Sequence, residues 1–348
     1  MPCERVYVGM SGGVDSSVAA AVLAESGFET TGVTLSLSGD SGANETDAAE
    51  VCKRLGIDHR VIDLKKDFKT EVIENFISEY AAGRTPNPCI VCNRRIKFGK
   101  MLEAAEQDGA AKIATGHYAV IKKSGDRYLL CRAADSSKDQ TYVLYGLTQY
   151  QLAHTLFPLG GCTKPQVREL AAEYGFINAE RPDSQDICFV PDGDYAAFIE
   201  RFSGSSFPEG DFTDLSGRKL GRHKGLICYT VGQRKGLGIA LGRPCFVIEK
   251  DAENNRVIIG EESELFFKRV LVDNLNFIPF DCLDKPMKVT GKLRYRHTEQ
   301  PAVIYPDSDD RLIVEFDEPQ RAPSPGQAAV FYDGDIVIGG GTIVKGID

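Results

Sequence analysis

The sequence predicts an α/β domain with a parallel sheet, followed by a small β-rich central domain and a C-terminal β-barrel. In the first half, short apolar runs alternate with longer stretches of helical periodicity, which is typical of a parallel sheet covered on both faces. Beyond the breaker-rich stretch 203–210, helical periodicity disappears, and short strand-like runs alternate with Gly, Pro and Asp turns. These observations predict domains at residues 1–203, 211–263 and 267–348.

The limits of the apolar runs and of the periodic segments predict the individual strands and helices. Apolar runs predict strands at 6–10, 31–37, 60–64 and 112–115, and a hairpin at 119–132. Periodic segments predict helices at 17–26, 47–55, 68–82, 96–107, 148–156, 164–174 and 195–202. Further strands are expected at 245–248, 257–259, 311–316, 328–332 and 336–338. The first domain is thus predicted to be α/β and the tail to be all-β.

Size, charge and cysteine content limit the class of protein. A chain of 348 residues exceeds the usual size of one hydrophobic core, and no apolar run approaches the roughly 20 residues needed to cross a bilayer. Since the N-terminus also lacks a secretory signal, we expect a soluble, cytoplasmic protein without a membrane partner. The net charge of −9 argues against broad, sequence-independent binding of DNA or RNA. The ten dispersed cysteines argue against a secreted disulfide scaffold.

A glycine-rich loop, Ser-Gly-Gly-Val-Asp-Ser-Ser at residues 11–17, lies between the first predicted strand and helix, where α/β sheets bind nucleotides. Its glycines allow the backbone to approach an anion, and the helix N-terminus directs N–H groups at a phosphate. No lysine occurs between Arg5 and Lys53, which excludes the P-loop of kinases and GTPases. A simple turn that caps the helix is the alternative. We predict a loop that binds nucleotide phosphates.

Two cysteine segments are candidates for sulfur chemistry. The prolines of residues 85–93 predict a stiff loop between two helices, and Asn93 is expected to cap the second helix. Cys92 would then lie at a positive helix end, which favours its thiolate. Cys188 lies between acidic residues and an apolar run, and Asp186 is expected to disfavour its thiolate. Cys92 is therefore the candidate nucleophile, and Cys188 is better suited to carry a transferred sulfur.

Short motifs occur along the chain in the order found in one enzyme family. They are Gly9-Met10-Ser11-Gly12-Gly13-Val14-Asp15-Ser16, Gly83-Arg84-Thr85-Pro86-Asn87-Pro88, Cys92-Asn93, Thr115-Gly116-His117-Tyr118, Ser137-Lys138-Asp139-Gln140, Asp183-Ser184, Ile187-Cys188-Phe189, Gly232-Gln233-Arg234-Lys235-Gly236-Leu237-Gly238, Arg294-Tyr295-Arg296 and Pro325-Gly326-Gln327. In this order they resemble the bacterial tRNA-specific 2-thiouridylases of the ATP-pyrophosphatase superfamily. The resemblance implies an N-terminal domain like the adenine-nucleotide α-hydrolases.

The resemblance implies an ATP-dependent sulfurtransferase that acts on tRNA, with Asp15 acting through a magnesium ion that accompanies ATP. ATP would adenylate the C2 oxygen of the wobble uridine, and sulfur from a persulfide on Cys188 would attack C2. Cys92 would be the catalytic nucleophile that resolves the persulfide, leaving a Cys92–Cys188 disulfide, AMP and pyrophosphate. A cysteine desulfurase or a sulfur-relay protein would supply the sulfur.

The resemblance also implies binding residues. ATP contacts are expected at Gly9, Met10, Ser11, Gly12, Gly13, Val14, Asp15, Ser16, Leu35 and Gly116. The target base is expected to meet Asn87, Pro88 and Cys89, and other parts of the tRNA to meet Lys138, Asp139, Gln140, Arg294 and Tyr295. The basic stretch 213–235 is expected to add phosphate contacts, with a solvated loop as the alternative. His117 is expected to position other groups rather than to catalyse.

Cys89 departs from the family pattern, in which many members have Asp. It creates Cys89-x-x-Cys92, a spacing shared by redox pairs and metal sites. Together with Cys188, these thiols could hold an iron–sulfur cluster; an additional thiol without an essential role is the alternative. No other metal site is predicted. The remaining cysteines are expected to be buried and without function: Cys3, Cys52, Cys131, Cys162, Cys228, Cys245 and Cys282.

Two other functions fit parts of the sequence. An amidating ligase of the same superfamily would use ATP but would have no use for Cys92 or Cys188. An RNA-binding or metal-binding scaffold would keep the glycine loop only as a turn. Conversion of either cysteine to serine distinguishes thiolation from amidation, and AMP release that depends on tRNA distinguishes both enzymes from the scaffold.

Overall fold

The computed structural model describes residues 4–37, 42–176, 187–239, 242–308 and 310–348, the side chains of residues 42–44 excepted. Cys3 and the stretch 183–186 that precedes Ile187-Cys188 lie outside the described residues. The chain divides into two compact units. The first comprises residues 1–72, 89–185 and 335–338, and the second comprises residues 73–88, 186–334 and 339–348.

A five-stranded parallel sheet forms the centre of the first unit. The strands of this unit are β1 Arg5–Gly9, β2 Glu29–Ser36, β3 Asp58–Asp63, β4 Lys112–Ala114, β5 Val120–Ser124, β6 Arg127–Cys131 and β7 Thr155–Leu156. The sheet order is β3-β2-β1-β4-β7, and every neighbouring pair is parallel. Val6 and Val8 of the central strand β1 are fully buried. The predicted parallel sheet is confirmed, as is the hairpin, which is formed by β5 and β6.

The structure contains ten α-helices within the described residues, of which α4 and α10 belong to the second unit. They are α1 Val14–Glu25, α2 Gly42–Leu55, α3 Lys65–Phe68, α4 Glu74–Ala81, α5 Pro88–Cys92, α6 Met101–Gln107, α7 Thr141–Leu144, α8 Gln149–Ala153, α9 Lys164–Glu173 and α10 Tyr195–Ser203. The π-helical stretches Lys69–Ile73 and Asn93–Lys100 connect α3 to α4 and α5 to α6. Within the described ranges, no helix combines the length and the apolar character needed to cross a bilayer.

The core of the first unit lies between the sheet and helices α1, α2 and α9. Val18 and Ala20 of α1 and Val167 of α9 belong to the same buried cluster as Val6 and Val8 of β1. Full burial of a valine side chain contributes roughly 1.5–3 kcal/mol. The small residues of α1 let the helix approach the sheet closely, so this packing holds the N-terminus of α1 directly beyond the end of β1.

One helix is shorter than predicted. The helix expected at 148–156 ends at Ala153, and Thr155 and Leu156 form strand β7 instead. These two residues pair in parallel with Ile113 and Ala114 of β4. The apolar pattern therefore continues past the helix because β7 is a sheet strand, and tertiary pairing overrides the local periodicity.

A four-stranded mixed sheet forms the central part of the second unit. Its strands are β8 Gly210–Thr213, β9 Lys219–His223, β10 Phe246–Asp251 and β11 Arg256–Gly260. The order is β10-β11-β8-β9, in which β11 and β8 are parallel and the other pairs are antiparallel. Alternate residues of β11, Val257 and Ile259, pack with Phe212 and Val247 in one core. This arrangement agrees with the predicted β-rich segment.

The last six strands close into a β-barrel. They are β12 Phe266–Phe277, β13 Met287–Lys292, β14 Gln300–Ser308, β15 Arg311–Arg321, β16 Ala328–Asp333 and β17 Ile336–Ile347. The order is β12-β15-β14-β13-β16-β17, and β12 also pairs with β17, which closes the ring. Closure protects the edges of the sheet. The predicted barrel is confirmed, whereas the limits of the three domains stay a prediction.

The cysteines that were given no function differ in their exposure. Cys52, Cys131 and Cys245 are buried, and Cys162 and Cys228 are partly buried. Burial raises the pKa of the Cys52 thiol to about 11, as expected of an inert core cysteine. The expectation of burial is wrong for Cys282, which is exposed. Its turn is acidic and polar, and the Cys282 thiol contacts the Asp284 carboxylate at 3.1 Å.

Strand β10 carries a lysine whose ammonium group is enclosed by the protein. Lys250 Nζ lies 5.5 Å from the ring centroid of Tyr80 and donates a hydrogen bond of 3.4 Å to the Arg84 carbonyl oxygen. Burial lowers the pKa of Lys250 from 10.5 to about 8. Between these two pH values, the unfolded chain binds a proton that the folded chain does not. This group therefore makes the free energy of unfolding rise with pH across that window.

We expect the substitution Lys250→Met to remove this contribution. The stability of wild type relative to the variant should increase by on the order of 2 kcal/mol as the pH rises, because folding must remove a proton from Lys250 and this costs less free energy at higher pH. Urea unfolding of both proteins between pH 8 and pH 10.5 measures this difference. Lys288→Met, at an exposed lysine of the barrel, is the matched control. Parallel pH profiles for wild type and Lys250→Met would contradict the burial of this charge.

Candidate active site

The predicted phosphate loop connects β1 to α1 and is closed by its own hydrogen bonds. The Ser11 N–H donates to Ser16 Oγ at 3.2 Å, and the Ser16 hydroxyl donates to the Gly13 carbonyl oxygen at 2.9 Å. The loop turns at Gly12, whose φ of +71° favours glycine. Gly13 precedes the first turn of α1, so the N–H groups of that turn point out of the loop toward any bound anion.

Gly116 packs directly against this loop from the end of β4. A Cβ atom at Gly116 would lie 2.7 Å from the Asp15 carbonyl carbon and 2.8 Å from the Ser16 nitrogen. These are backbone atoms, so they have little freedom to move aside. Leu35 lies near the carboxyl end of β2, the strand next to β1 in the sheet. The structure thus brings the loop residues 9–16 and Gly116 together and places Leu35 on the neighbouring strand.

The carboxylate of Asp15 has a partner that the sequence analysis missed. Lys164 Nζ lies 2.8 Å from both carboxylate oxygens of Asp15, and the Tyr118 hydroxyl donates to Oδ1 at 2.8 Å. The Lys164 side chain is only 8% exposed. Lys164 is the first residue of α9 and is followed by Pro165, with a capping box formed by Thr163. The sequence showed only a lysine at the start of a predicted helix, which does not point to Asp15.

The ion pair changes the role expected for magnesium. Asp15 was predicted to act through this metal, because a bare carboxylate beside phosphates is repulsive. In the structure the ammonium group of Lys164 supplies the opposite charge and occupies both oxygens of Asp15. Magnesium in nucleotide sites commonly takes substrate phosphates and water as ligands. Asp15 therefore already has a positive partner in this structure, and its action through magnesium stays a prediction.

Cys92 does not lie where the sequence placed it within its helix. The helix begins at Pro88 rather than at Asn93, because proline suits the first helical turn, where no N–H donor is needed. The prediction that Asn93 caps the helix is wrong, and with it the placement of Cys92 at a positive helix end. Asn93 is buried, and its Nδ2 donates to the Val143 carbonyl oxygen at 3.0 Å. Cys92 is 7% exposed, whereas Cys89 in the first turn is exposed.

Cys188 belongs to the second unit and is exposed. The next residue anchors it, since the Phe189 ring lies 5.3 Å from the ring of Phe76 in α4 and 5.3 Å from the ring of Phe198 in α10. Edge-to-face and tilted ring pairs at this distance stabilise beyond their buried area. An anchored neighbour and an exposed thiol suit a cysteine that meets another macromolecule. The expected effect of Asp186 lies outside the described residues.

His117 is enclosed by aromatic rings. Its ring lies 5.6 Å from that of Phe98 and 6.1 Å from that of Phe157, and Nδ1 is 2.8 Å from Thr115 Oγ1. Burial, with the positive charge of Lys97, lowers the pKa of His117 well below 6.5. The imidazole is therefore neutral near pH 7, so His117 cannot act there as a general acid in its charged form. This geometry supports the positioning role predicted for His117.

Several residues expected to meet tRNA form bonds within the protein. The Asp139 carboxylate accepts from the N–H groups of Ala133 and Thr141 at 2.9 and 3.1 Å, and Gln140 Oε1 accepts from the Tyr118 N–H at 2.8 Å. These bonds order the segment beside Gly116. Lys138 is half-buried in the same segment.

Arg294 forms bonds within the protein, whereas the neighbouring Tyr295 is exposed. The Arg294 guanidinium donates to Ser324 Oγ at 2.6 Å and to the carbonyl oxygens of Val231 and Ala322 at 3.1 Å. Tyr295 is 40% exposed, with Lys292 Nζ at 5.9 Å from its ring centroid. Of the two side chains, that of Tyr295 is the more exposed.

The basic stretch 213–235 is more neutral in the structure than in the sequence. Arg218 pairs with Asp214, Lys219 pairs with Asp211, and Arg222 lies within 3.6 Å of Asp211 and Glu209. Hydrogen bonds with Ser216 and Lys219 hold the pKa values of Asp214 and Asp211 below their usual range.

At the C-terminal end of the same stretch, a cavity of about 440 Å³ opens. It is lined by Arg234, Gly236, Leu237, Gly238, Ile239, Arg243, Pro244 and Cys245. Arg243 pairs with Glu261, and Arg234 contributes a second guanidinium. Among the described residues, no group of three or more His, Cys, Asp and Glu side chains could hold a metal ion.

Comparison with known proteins identifies the family. Residues 4–192 match the model of a tRNA methyl transferase HUP domain, residues 196–261 its PRC-barrel domain, and residues 267–343 an aminomethyltransferase beta-barrel domain. The chain is 50% identical to "tRNA-specific 2-thiouridylase MnmA" of Acetivibrio thermocellus, over 99% of this chain and 100% of that protein. The chain belongs to the tRNA-specific 2-thiouridylase family. Another 2-thiouridylase, from Heliobacterium modesticaldum, is 51% identical over 99% of this chain and 94% of its own length.

Solved structures outside the 2-thiouridylase family are more remote. An NMN synthetase from Francisella tularensis has a TM-score of 0.37 and 18% identity, and covers 60% of this chain and 80% of its own. A 4-thiouridine synthetase in complex with RNA and ATP has a TM-score of 0.36 and 16% identity, and covers 57% of this chain and 50% of its own. Likenesses at this level do not bear on the site of this chain.

We expect Gly116→Ala to weaken ATP binding at least about tenfold, because the added methyl group would push the Asp15–Ser16 backbone out of place. Isothermal titration of each protein with ATP measures the change. Gly161→Ala is the matched control, since a Cβ atom at Gly161 meets no heavy atom within 4 Å. Equal ATP affinities for Gly116→Ala and Gly161→Ala would show that the loop does not hold the nucleotide.

Proposed function

We propose that this chain thiolates tRNA, converting the wobble uridine to 2-thiouridine with consumption of ATP and release of AMP and pyrophosphate. The observation that carries the proposal is 50% identity to a tRNA-specific 2-thiouridylase along the full length of both chains. The loop of residues 11–17 supports it, because the loop connects a central strand to a helix and has the form of an anion site.

The adenylation step requires a site for the pyrophosphate leaving group. The N–H groups at the start of α1 and the ammonium group of Lys164 are the positive groups beside the loop. We assign them to the β- and γ-phosphates, where charge grows as the bond between the α- and β-phosphates breaks. ATP enters with magnesium, which contributes further neutralisation of that charge through the phosphates.

Sulfur transfer uses the two cysteines in successive steps. The terminal sulfur of a Cys188 persulfide attacks C2 of the adenylated uridine, a C–S bond forms, and the C2 oxygen leaves with AMP. Cys92 thiolate then attacks the Cys188 sulfur, which forms a Cys92–Cys188 disulfide and leaves the second sulfur on the base. An external thiol reductant supplies the two electrons that return both cysteines to thiols.

The exposure of each cysteine supports a carrier role for Cys188 and a resolving role for Cys92. Cys188 is exposed, which suits a thiol that must receive sulfur from a second protein, either a cysteine desulfurase or a sulfur-relay protein. Cys92 is buried, which protects a resolving thiol from oxidants and from competing sulfur donors. At Cys89 we expect an additional thiol without an essential role. An iron–sulfur cluster on Cys89, Cys92 and Cys188 is the alternative, and iron analysis of anaerobically purified Cys89→Ser and wild type decides between them.

We assign contacts with tRNA to Tyr295 and to two arginines of the second unit. Tyr295 provides an aromatic face, and Arg234 and Arg243 line a cavity in the central part of the second unit. Arginine at such a surface pairs with backbone phosphates. Since most neighbouring basic residues are already in ion pairs, we expect a small number of phosphate contacts and a correspondingly weak dependence of affinity on salt.

We expect Cys92→Ser and Cys188→Ser each to abolish 2-thiouridine formation. The reaction contains ATP, a persulfide donor and unmodified tRNA, and mass spectrometry of the nucleosides measures the product. Cys282→Ser, which alters an exposed cysteine of the barrel, should thiolate like wild type. An amidating ligase would keep its activity in both variants, and a product with the mass of a methylated uridine would exclude sulfur transfer. Thiolation by both serine variants would falsify the cysteine mechanism.

We expect Lys164→Met to slow tRNA-dependent pyrophosphate release about 100-fold, the usual effect of losing one group that stabilises developing charge. The variant also leaves the Asp15 carboxylate facing the phosphates without its counter-charge. Lys164→Arg keeps the charge and should recover part of the rate. Pyrophosphate release is followed by a coupled assay at saturating tRNA. A rate for Lys164→Met equal to that of wild type would remove Lys164 from the nucleotide site.

A further inference from the structure

The segment Arg84-Thr85-Pro86 leads into Asn87-Pro88, which we assign to the target base. Pro86 and Pro88 have no N–H group, so the segment has few donors with which to hold itself in a fixed shape. Its backbone is largely buried, and buried carbonyl oxygens require donors. Those donors must therefore come from other parts of the protein.

The C-terminal barrel supplies most of them through the motif Pro325-Gly326-Gln327. Gln327 Nε2 donates to the Thr85 carbonyl oxygen at 2.9 Å and reaches the Pro86 carbonyl oxygen at 3.5 Å. In return, the Thr85 N–H donates to the Pro325 carbonyl oxygen at 2.7 Å. One side chain thus serves two successive carbonyl groups immediately before Asn87.

Gly326 allows the two segments to approach this closely. Its φ is +87°, and a Cβ atom there would lie 2.9 Å from both Arg84 Cβ and the Thr85 nitrogen. Any larger residue would therefore push Thr85 away from the barrel. The close approach and the Gln327 hydrogen bond depend on each other, since the amide reaches the Thr85 carbonyl only when the backbones are in contact.

The motif is itself held in place by the barrel. The Gly326 N–H donates to the Ile343 carbonyl oxygen at 2.9 Å, and the Ile343 N–H donates to the Gln327 carbonyl oxygen at 2.8 Å. Arg294 holds the residues just before it, through the bond of 2.6 Å to Ser324 Oγ. The donor that reaches Thr85 therefore lies in the turn directly before strand β16, and this turn is bonded to strand β17 of the barrel.

The central sheet contacts the same segment at its other end. Lys250 Nζ donates to the Arg84 carbonyl oxygen at 3.4 Å, and a Cβ atom at Gly83 would lie 3.5 Å from Lys250 Cβ. Three successive carbonyl groups, from Arg84 to Pro86, thus receive donors from the two β-rich parts of the second unit. These parts do more than present a surface to RNA.

We propose that Gln327 is a positioning residue for thiolation, which fixes the Thr85-Pro86 backbone so that Asn87 and Pro88 meet the target uridine in a reactive orientation. The inference rests on the proposed function, because it takes Asn87 and Pro88 to contact the base. Gln327 does not touch the reacting atoms. Its loss changes the orientation of the bound base and therefore the rate of the bound complex, rather than the affinity for tRNA or ATP.

The test compares Gln327→Glu with wild type. The substitution keeps the size of the side chain but places an acceptor opposite two carbonyl oxygens, so both hydrogen bonds are lost. Gln320→Glu is the matched control: Gln320 lies on the same barrel, and its Nε2 donates to the Glu318 carbonyl oxygen at an exposed position. Each protein is loaded with persulfide sulfur, and one turnover of thiolation is measured at saturating ATP and tRNA. Filter binding measures tRNA affinity, and circular dichroism measures the melting temperature.

We expect Gln327→Glu to lower the single-turnover rate constant at least about tenfold, with tRNA and ATP affinities within about twofold of wild type. Lowering the pH should restore part of the rate relative to wild type, because a protonated glutamic acid can again donate one hydrogen bond. The recovery would tie the loss of rate to the missing hydrogen-bond donor, and the unchanged affinities separate this role from a structural defect that disrupts the binding sites. Gln320→Glu should match wild type at every pH.

A rate for Gln327→Glu within twofold of wild type overturns the inference, and so does a loss of rate fully explained by weaker tRNA binding. If Gln327→Glu does not fold, Gln327→Asn decides: it keeps the amide but withdraws it by one methylene group, and a wild-type rate overturns the inference equally. Wild type that forms no 2-thiouridine rejects the proposed function, whereas active wild type with an active Gln327→Glu rejects only the role of Gln327.

Discussion

The ion pair between Lys164 and Asp15 is the interaction on which the nucleotide end of the molecule depends. Taking two charges out of water is unfavourable unless their geometry is good and further hydrogen bonds satisfy them. Here one ammonium group contacts both carboxylate oxygens at 2.8 Å, and Tyr118 adds a third bond. The pair joins the start of α9 to the start of α1, so two helix N-termini and one positive side chain surround the place where phosphates are expected.

The reacting groups are supported by elements that differ in kind. The phosphate loop is rigid because Gly116 and α1 pack against it, whereas the base-facing segment has two prolines and takes its hydrogen-bond donors from β structure. Helix α4 connects two of these supports within the second unit. Its Phe76 contacts Phe189 beside Cys188, and its C-terminus leads into Gly83. Helix α4 therefore contacts the neighbour of Cys188 and leads into the segment before Asn87.

Much of the fold could be predicted from local patterns, and the site only in part. The parallel sheet, the hairpin and the barrel follow from the spacing of apolar runs. The prediction that Asn93 caps the helix was wrong because the helix begins earlier, at Pro88. Proline at the first helical position and asparagine at a cap are both helix-start signals, and the sequence alone did not decide between them. The partnership of Asp15 with Lys164 was missed because the two residues are 149 positions apart and neither carries a spacing signal for the other. A contact between two single residues far apart in the chain produces no repeating pattern in the sequence, so sequence patterns cannot predict it.

The hydrogen bond from Gln327 to Thr85 joins residues 242 positions apart. During synthesis, the α/β part of the chain leaves the ribosome long before the barrel strands that complete this bond. Contacts of such sequence separation form late in folding, since closing a long loop must precede them. A polypeptide that ends before the barrel would have no Gln327 side chain to donate to the Thr85 and Pro86 carbonyl oxygens. On the role proposed for Gln327, a chain that is still being translated would lack the hydrogen bond that orients the base.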